Sequence, residues 1–214
     1  MGILSELSPK KVWEIFDLIC SVPHITKHEA ALAEKLAALA TDAGLQVQQD
    51  KIGNVIIKRP AAPGFENAPG VILQAHMDMV PASSVEFDFL TQPITPVIKD
   101  GWVMAENTTL GSDDGIGVAH AMAVVLDKEF KCGPLTVILT VDEEAGMSGA
   151  FNLPTEFLDG KYMINLDGSE NGFCVGCAGG ARQETVFELT KAAVPDGYEA
   201  FSIALDGLPG GQLR

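Results

Sequence analysis

Three polar clusters each follow an apolar run. His76-Met77-Asp78 follows Val71–Ala75, Asp142-Glu143-Glu144 follows Leu135–Val141, and Asp167 follows Tyr162–Leu166. Short runs of this kind read as buried strands, so the clusters fall at the carboxyl ends of strands, where open α/β sheets gather their ligands. A further pair, Asp113 and Asp114, opens an apolar helical stretch reaching Leu126, at the end where the helix dipole favours negative charge. If these ends converge, one imidazole meets at least five carboxylates. Like charges held that close raise each other's pKa and cannot all ionise without a counter-charge. A divalent metal is the natural counter-charge. A donor set mixing His with carboxylates suits zinc, with cobalt or manganese compatible, whereas oxygen ligands alone would suit magnesium or calcium.

The elements that must position these groups alternate in type. Pro9–Cys20 predicts a helix with Trp13, Phe16 and Cys20 on one face, after a Ser8-Pro9 start. In the next helix Thr26 and Glu29 read as a capping box, Leu32, Leu36 and Leu39 recur at helical spacing, and Gly44 suits a left-handed end. Leu45–Gln49 and Asn54–Lys58 predict two strands joined as a hairpin, and Pro60–Gly70 a loop. Asp114–Leu126 is apolar on almost every face, the pattern of a helix packed on both sides. Lys161–Leu166 predicts another buried strand. The fold class that follows is α/β, with a mixed, largely parallel central sheet flanked by helices.

After Cys177-Ala-Gly-Gly180 the pattern changes. Val186, Leu189, Phe201, Ile203 and Leu205 alternate with polar neighbours, as in a half-exposed antiparallel sheet. The predicted organisation is a metal-binding domain over 1–180 and the start of a second domain over 181–214. Cys174-Val-Gly-Cys177 has the spacing of a zinc knuckle, but a structural zinc site needs a second pair, and small residues in a Gly-rich turn are the simpler reading. His24, His28 and His120 read as structural rather than as ligands.

Composition narrows the partners. The 14 Lys+Arg against 29 Asp+Glu give a net charge of −15, which argues against nucleic acid and anionic membrane surfaces. With 47% hydrophobic and 20% charged residues there is apolar material for a core and no compositional case for disorder. Neither a signal-peptide core nor an apolar run of about 18 residues is apparent. Four scattered cysteines fit a reduced compartment, so the expected location is cytoplasmic.

The order His76-Met-Asp78, Gly111-Ser-Asp-Asp-Gly115, Asp142-Glu-Glu-Ala-Gly146 and Asn165-Leu-Asp167 resembles that of the co-catalytic zinc metallopeptidases that include acetylornithine deacetylase and glutamate carboxypeptidase. The phrases Leu73–Pro81, Thr108–Gly111, Glu143–Met147 and Gly176–Gly180 are most similar to the dipeptidase branch of that family, and the likeness runs from near residue 5 to about residue 211. The resemblance implies a zinc-exopeptidase-like catalytic domain followed by the beginning of an α+β lid domain. It implies metal-dependent hydrolysis of dipeptides, aminoacyl-histidine dipeptides above all, with a short peptide as substrate, two zinc ions per complete site and homodimerisation through the lid. His76 and Asp167 would bind the first metal, Asp113 would bridge, and Glu144 would bind the second. Asp78 would hold the other ring nitrogen of His76, and Glu143 would act as general base on the attacking water. A deacylase on the same scaffold would share every motif.

The chain departs from that pattern in three places. The family's second metal takes a further His from well beyond Arg214. Its Gly-Gly-His-Ser-Gly pattern would begin at Gly210-Gly211, but Gln212, Leu213 and Arg214 follow. The expectation is therefore an N-terminal portion, with a catalytic domain lacking its C-terminal part, a truncated lid domain, and metal binding without turnover as the alternative outcome. Asp114 adds a carboxylate where close relatives more often carry Asn.

Overall fold

The computed structural model describes residues 2–168, 181, 183–190, 192–204 and 207. After a 3-10 turn at Ile3–Glu6, helix α1 (Lys10–Cys20) buries Val12, Ile15, Phe16 and Ile19 at helical spacing. Helix α2 (Ala30–Asp42) buries Leu32, Ala33, Leu36 and Ala40 and ends at Gly44, whose φ of 83° is the left-handed conformation the sequence suggested. Strands β1 (Gln46–Gln49) and β2 (Val55–Arg59) form the expected hairpin. Strand β3 (Val71–His76) follows the predicted loop, and β4 (Pro96–Lys99) pairs with β5 (Trp102–Ala105) as a separate two-stranded ribbon. Then come α3 (Ser112–Leu126), β6 (Leu135–Thr140), two short helices α4 (Glu143–Gly146) and α5 (Ser148–Phe151), and β7 (Tyr162–Asn165).

The five-stranded sheet has the order β1-β2-β6-β3-β7. The pairs β1/β2 and β2/β6 are antiparallel, while β6/β3 and β3/β7 are parallel. Four strands thus point one way and β2 alone opposes them, a mixed and largely parallel sheet. Every residue of β6 is buried, which explains its unbroken apolar and β-branched run. Val55, Ile57, Leu73, Ala75, Val137 and Leu139 pack from one sheet face into a core shared with α1, α2 and α3. Register then places the site. His76 lies opposite Thr140, and Gln74 opposite Asn165, so Asp142 and Asp167 emerge just past the same sheet edge as His76.

Several local expectations are corrected. Thr26 and Glu29 make no capping box: α2 starts at Ala30, Glu29 makes no cap hydrogen bond, and the Thr26 hydroxyl donates to the Met79 carbonyl instead (3.4 Å). The reason is a left-handed turn at Lys27 (φ 71°), after which the Glu29 carboxylate is buried against the loop beyond β6. Asp113 and Asp114 have non-helical backbone angles, so regular α3 begins beyond them; the helix packs between α1 and the sheet strands β3 and β6 as its apolar pattern predicted, with His120 exposed and bonded to the Ile116 carbonyl of its own helix (2.8 Å). Among the described residues β7 pairs only with β3 and lies at the edge of the sheet, and Tyr162, Met163 and Ile164 are each about half exposed. Its apolar character reflected strand propensity and not burial on both faces.

The chain divides into two compact units, Met1–Ser169 and Glu170–Arg214. In the second unit the described residues form no strand, and Val186, Leu189, Phe201 and Ile203 are exposed. Alternation supplies a face for a strand, but a strand also needs a backbone partner, and none is found among the described residues. The Cys174–Cys177 pair, Leu205 and Gly210-Gly211 lie outside the described residues. No described helix is long and apolar enough to cross a membrane.

Candidate metal centre

The site is built around His76, the last residue of β3, whose side chain is 1% exposed. Its Nδ1 lies 3.0 Å from the Asp78 backbone carbonyl and 3.4 Å from Asp78 Oδ1. A proton on Nδ1 satisfies that contact and leaves the Nε2 lone pair facing the acids, the tautomer a metal ligand requires. Nε2 is 3.2 Å from Asp113 Oδ1, 3.9 Å from Asp167 Oδ2 and 4.0 Å from Glu143 Oε2. Asp113 arrives from the irregular start of α3, Asp167 from two residues beyond β7, and Glu143 from the turn after β6.

Asp78 does more than face the ring. Its two carboxylate oxygens accept the N–H groups of Glu143 (2.9 Å) and Glu144 (3.1 Å), donors that the first turn of α4 leaves without helical partners. Asp114 is 2% exposed and accepts the His76 backbone N–H at 3.2 Å.

Two sets of three donor residues lie within 4.8 Å of one another: His76 with Asp113 and Asp167, and His76 with Glu143 and Glu144. The candidate ligands His76, Asp113, Glu144 and Asp167 and the candidate base Glu143 therefore meet around one imidazole. Glu144 falls in the set with Glu143 and His76, and Asp113 in the set with Asp167 and His76. His24 is buried and His28 and His120 are exposed; none belongs to either set.

The electrostatics carry the mark of crowded anions. Burial works against the His76 imidazolium, but the Asp78 hydrogen bond and the charges of Asp114, Asp78 and Glu143 outweigh it and raise the group to about 10. Burial likewise opposes ionisation of Asp78, yet hydrogen bonds from His76 and from the Glu143 and Glu144 amides hold it down at about 2. Burial pushes Asp114 up to about 7 against the lowering pull of His76, and it raises Glu143 too, helped by Glu144 and Asp167. An imidazole with its second nitrogen already pinned, amid acids that repel one another, fits a divalent cation with mixed nitrogen and oxygen ligands.

A cleft of about 410 Å³ opens at the cluster, lined by the polar His76, Glu143 and Asp167 and the apolar Met147, Leu153 and Met163. A larger one of about 610 Å³, lined by Arg59, Val71 and Leu135, lies at the opposite ends of β3 and β6 and holds none of these groups. Two residues that reach the loop of Glu143 were missed in the sequence. Glu29 matched a capping template and Asn54 looked like an ordinary strand start, and no local signal distinguishes either role.

Residues 72–189, more than half of the chain, match the peptidase family M20/M25/M40. The chain is 47% identical over 214 residues to a cytosol non-specific dipeptidase of Escherichia coli (strain K12), covering 99% of this chain and 44% of that protein. A crystal structure of aminoacylhistidine dipeptidase from Vibrio alginolyticus superposes with a TM-score of 0.77 at 50% identity, over 80% of this chain and 35% of that one. A succinyl-diaminopimelate desuccinylase of Stenotrophomonas maltophilia (strain K279a) is 33% identical over 138 residues, covering 61% of this chain and 35% of that protein. The chain thus spans less than half the length of these relatives. With its motif order, mixed sheet and acidic cluster set beside these matches, the chain belongs to the M20/M25/M40 peptidase family.

Proposed function

We propose that the chain provides the metal-dependent catalytic site of a cytoplasmic dipeptidase, with aminoacyl-histidine dipeptides as the substrate class. The observation that carries the reading is the convergence of His76 with Asp113, Glu143, Glu144 and Asp167 at one sheet edge, in a chain 47% identical to a cytosol dipeptidase. His76, Asp113 and Asp167 would hold one zinc ion, and Glu144 with Asp113 the second. When bound, such ions polarise a peptide carbonyl and make an attacking water more acidic. Glu143 takes a proton from that water as its oxygen attacks the carbonyl carbon. It then returns the proton to the amine nitrogen as the C–N bond breaks. The raised pKa of Glu143 suits that exchange, because a base must also become a competent acid. Asp78 fixes the His76 tautomer and the backbone from which Glu143 projects. In the same reading residues 1–180 form the catalytic domain and 181–214 begin a lid through which two copies associate.

A deacylase reading is favoured by the likeness to the desuccinylase. Elemental analysis for zinc, run beside hydrolysis of β-alanyl-histidine, glycyl-histidine and an N-succinyl amino acid, separates the readings. Two metals per chain with release of free histidine support the dipeptidase. Cleavage of the succinyl amide alone supports the deacylase. One metal or none, without turnover, overturns activity for this chain.

A further inference from the structure

Four consecutive backbone N–H groups leading to the candidate base are each accepted by a side chain from elsewhere in the fold. Val141 donates to Asn54 Oδ1 (3.1 Å), Asp142 to Glu29 Oε1 (2.9 Å), Glu143 to Asp78 Oδ1 (2.9 Å) and Glu144 to Asp78 Oδ2 (3.1 Å). The β6 ladder ends at Thr140, so these donors have left the sheet and need other acceptors. Glu29 is 5% exposed and Asn54 fully buried, so water does not compete for either contact.

The backbone held in this way is not one the chain would adopt freely. Asp142 is left-handed (φ 55°, ψ 42°), a conformation that a non-glycine residue keeps only where its surroundings over-determine it. The same Glu29 oxygen accepts the N–H of Lys27 (2.9 Å), which is left-handed too. One buried oxygen therefore ties the turn before α2 to the turn directly before Glu143. Asn54 extends the support, because its Nδ2 donates to the Gly149 carbonyl (2.9 Å) and to Asp50 Oδ2 (2.7 Å). Asp50 in turn accepts the N–H groups of Ile52, Gly53 and Asn54, so the tip of the β1–β2 hairpin is rigid where it meets the loop.

We propose that Glu29 and Asn54 are positioning residues for the hydrolysis, holding Val141–Glu144 in the left-handed turn from which Glu143 and Glu144 reach His76. The inference rests on Glu143 being the base, and neither residue touches the reacting atoms. Truncating Glu29 frees the Asp142 N–H and lets the turn relax. Replacing it by Gln keeps an acceptor oxygen of nearly the same reach.

The test compares wild type with Glu29→Ala, Glu29→Gln and Asn54→Ala in the 214-residue chain. It reads amide hydrogen exchange at Asp142–Glu144, affinity for Zn²⁺ alone by calorimetry, and kcat and KM for β-alanyl-histidine. Glu29→Ala and Asn54→Ala are expected to speed exchange across the turn, weaken zinc binding about 10- to 100-fold and lower kcat by about 100-fold with KM little changed. Glu29→Gln is expected to stay close to wild type in all three. Wild-type exchange and zinc affinity in Glu29→Ala, or a Gln variant as damaged as Ala, would overturn the proposal. If Glu29→Ala does not fold, the Gln variant decides alone: retained protection of the Asp142 amide with wild-type zinc affinity supports the role, and loss of either overturns it. If wild type itself turns over no dipeptide, the proposed reaction fails by itself, and exchange with zinc affinity still decides the positioning role.

Discussion

Asp114 Oδ2 accepts the backbone N–H of His76, and the space for that carboxylate is provided by Gly117, where a Cβ would collide with Asp114 Oδ1. A buried acid thus secures the end of β3 on which the candidate metal ligand sits, and it needs a glycine inside a helix to do so. Alanine normally favours a helix interior over glycine by about 1 kcal/mol. Overpacking costs about 1–3 kcal/mol, and here it meets a carboxylate that cannot move without abandoning His76. Gly117→Ala is therefore expected to lower stability by up to about 2 kcal/mol net, the difference of those two effects. Urea unfolding checks this, and an unchanged or raised midpoint would refute it.

The exposed end of α3 depends on Arg59. Its guanidinium donates to the carbonyls of Val124 (3.1 Å), Asp127 (2.7 Å) and Phe130 (2.5 Å), joining β2 to the last turn of the helix and to the turn that follows it. Arg59→Ala should cost about 1.5–3 kcal/mol, the range for hydrogen bonds to a charged group. Arg59→Lys, a single point donor, should recover only part of it. Thermal unfolding of the three chains ranks them.

Removal of single site groups should separate binding from chemistry. His76 belongs to both donor sets, so His76→Ala is expected to abolish metal retention, whereas Glu143→Gln should keep metal and, on the proposed role of the base, lose about 10²- to 10⁴-fold in kcat. Metal content by elemental analysis beside single-turnover hydrolysis distinguishes the two. Equal metal loss in both variants would assign Glu143 to binding.

His24 gives the fold an acid-sensitive component. Its Nδ1 donates to the Val22 carbonyl (2.6 Å), its Nε2 is buried without a hydrogen-bond partner among the described residues, and burial lowers its pKa below the ordinary 6.5 despite that bond and the Asp78 charge. The unfolded chain therefore binds the proton first. The stability contributed by neutral His24 is fully present above about pH 6.5 and declines as pH falls toward the lower folded value. His24→Asn, which can still donate to Val22, should lose less stability than wild type between pH 7 and 5. Denaturant midpoints across that range measure the difference.

Cys20 is expected to be chemically silent. Burial, with Asp17 nearby, pushes its thiol up to about 12, so almost no thiolate exists at neutral pH. Iodoacetamide should label Cys132, which is partly exposed, in the native chain, and Cys20 only after unfolding. Peptide mapping by mass spectrometry locates the label.

The sequence alone determined the elements and the strand ends that carry the chemistry. Val71–Ala75 and Leu135–Thr140 are local apolar runs, and the polar residues that end them, His76 and the Asp142–Glu144 triplet, are read from adjacent positions. Local pattern predicted the β1–β2 hairpin but could not say that β2 pairs antiparallel with β6, or that Tyr162–Ile164 lie on an edge among the described strands, since strand order follows from which faces find partners. Nor could it reassign Glu29 from helix cap to loop anchor, because its partner Asp142 is 113 residues away, as Asn54 is 87 from Val141. The hydrogen bonds that hold Glu143 join elements remote in the chain, and only tertiary packing brings such donors and acceptors within 3 Å.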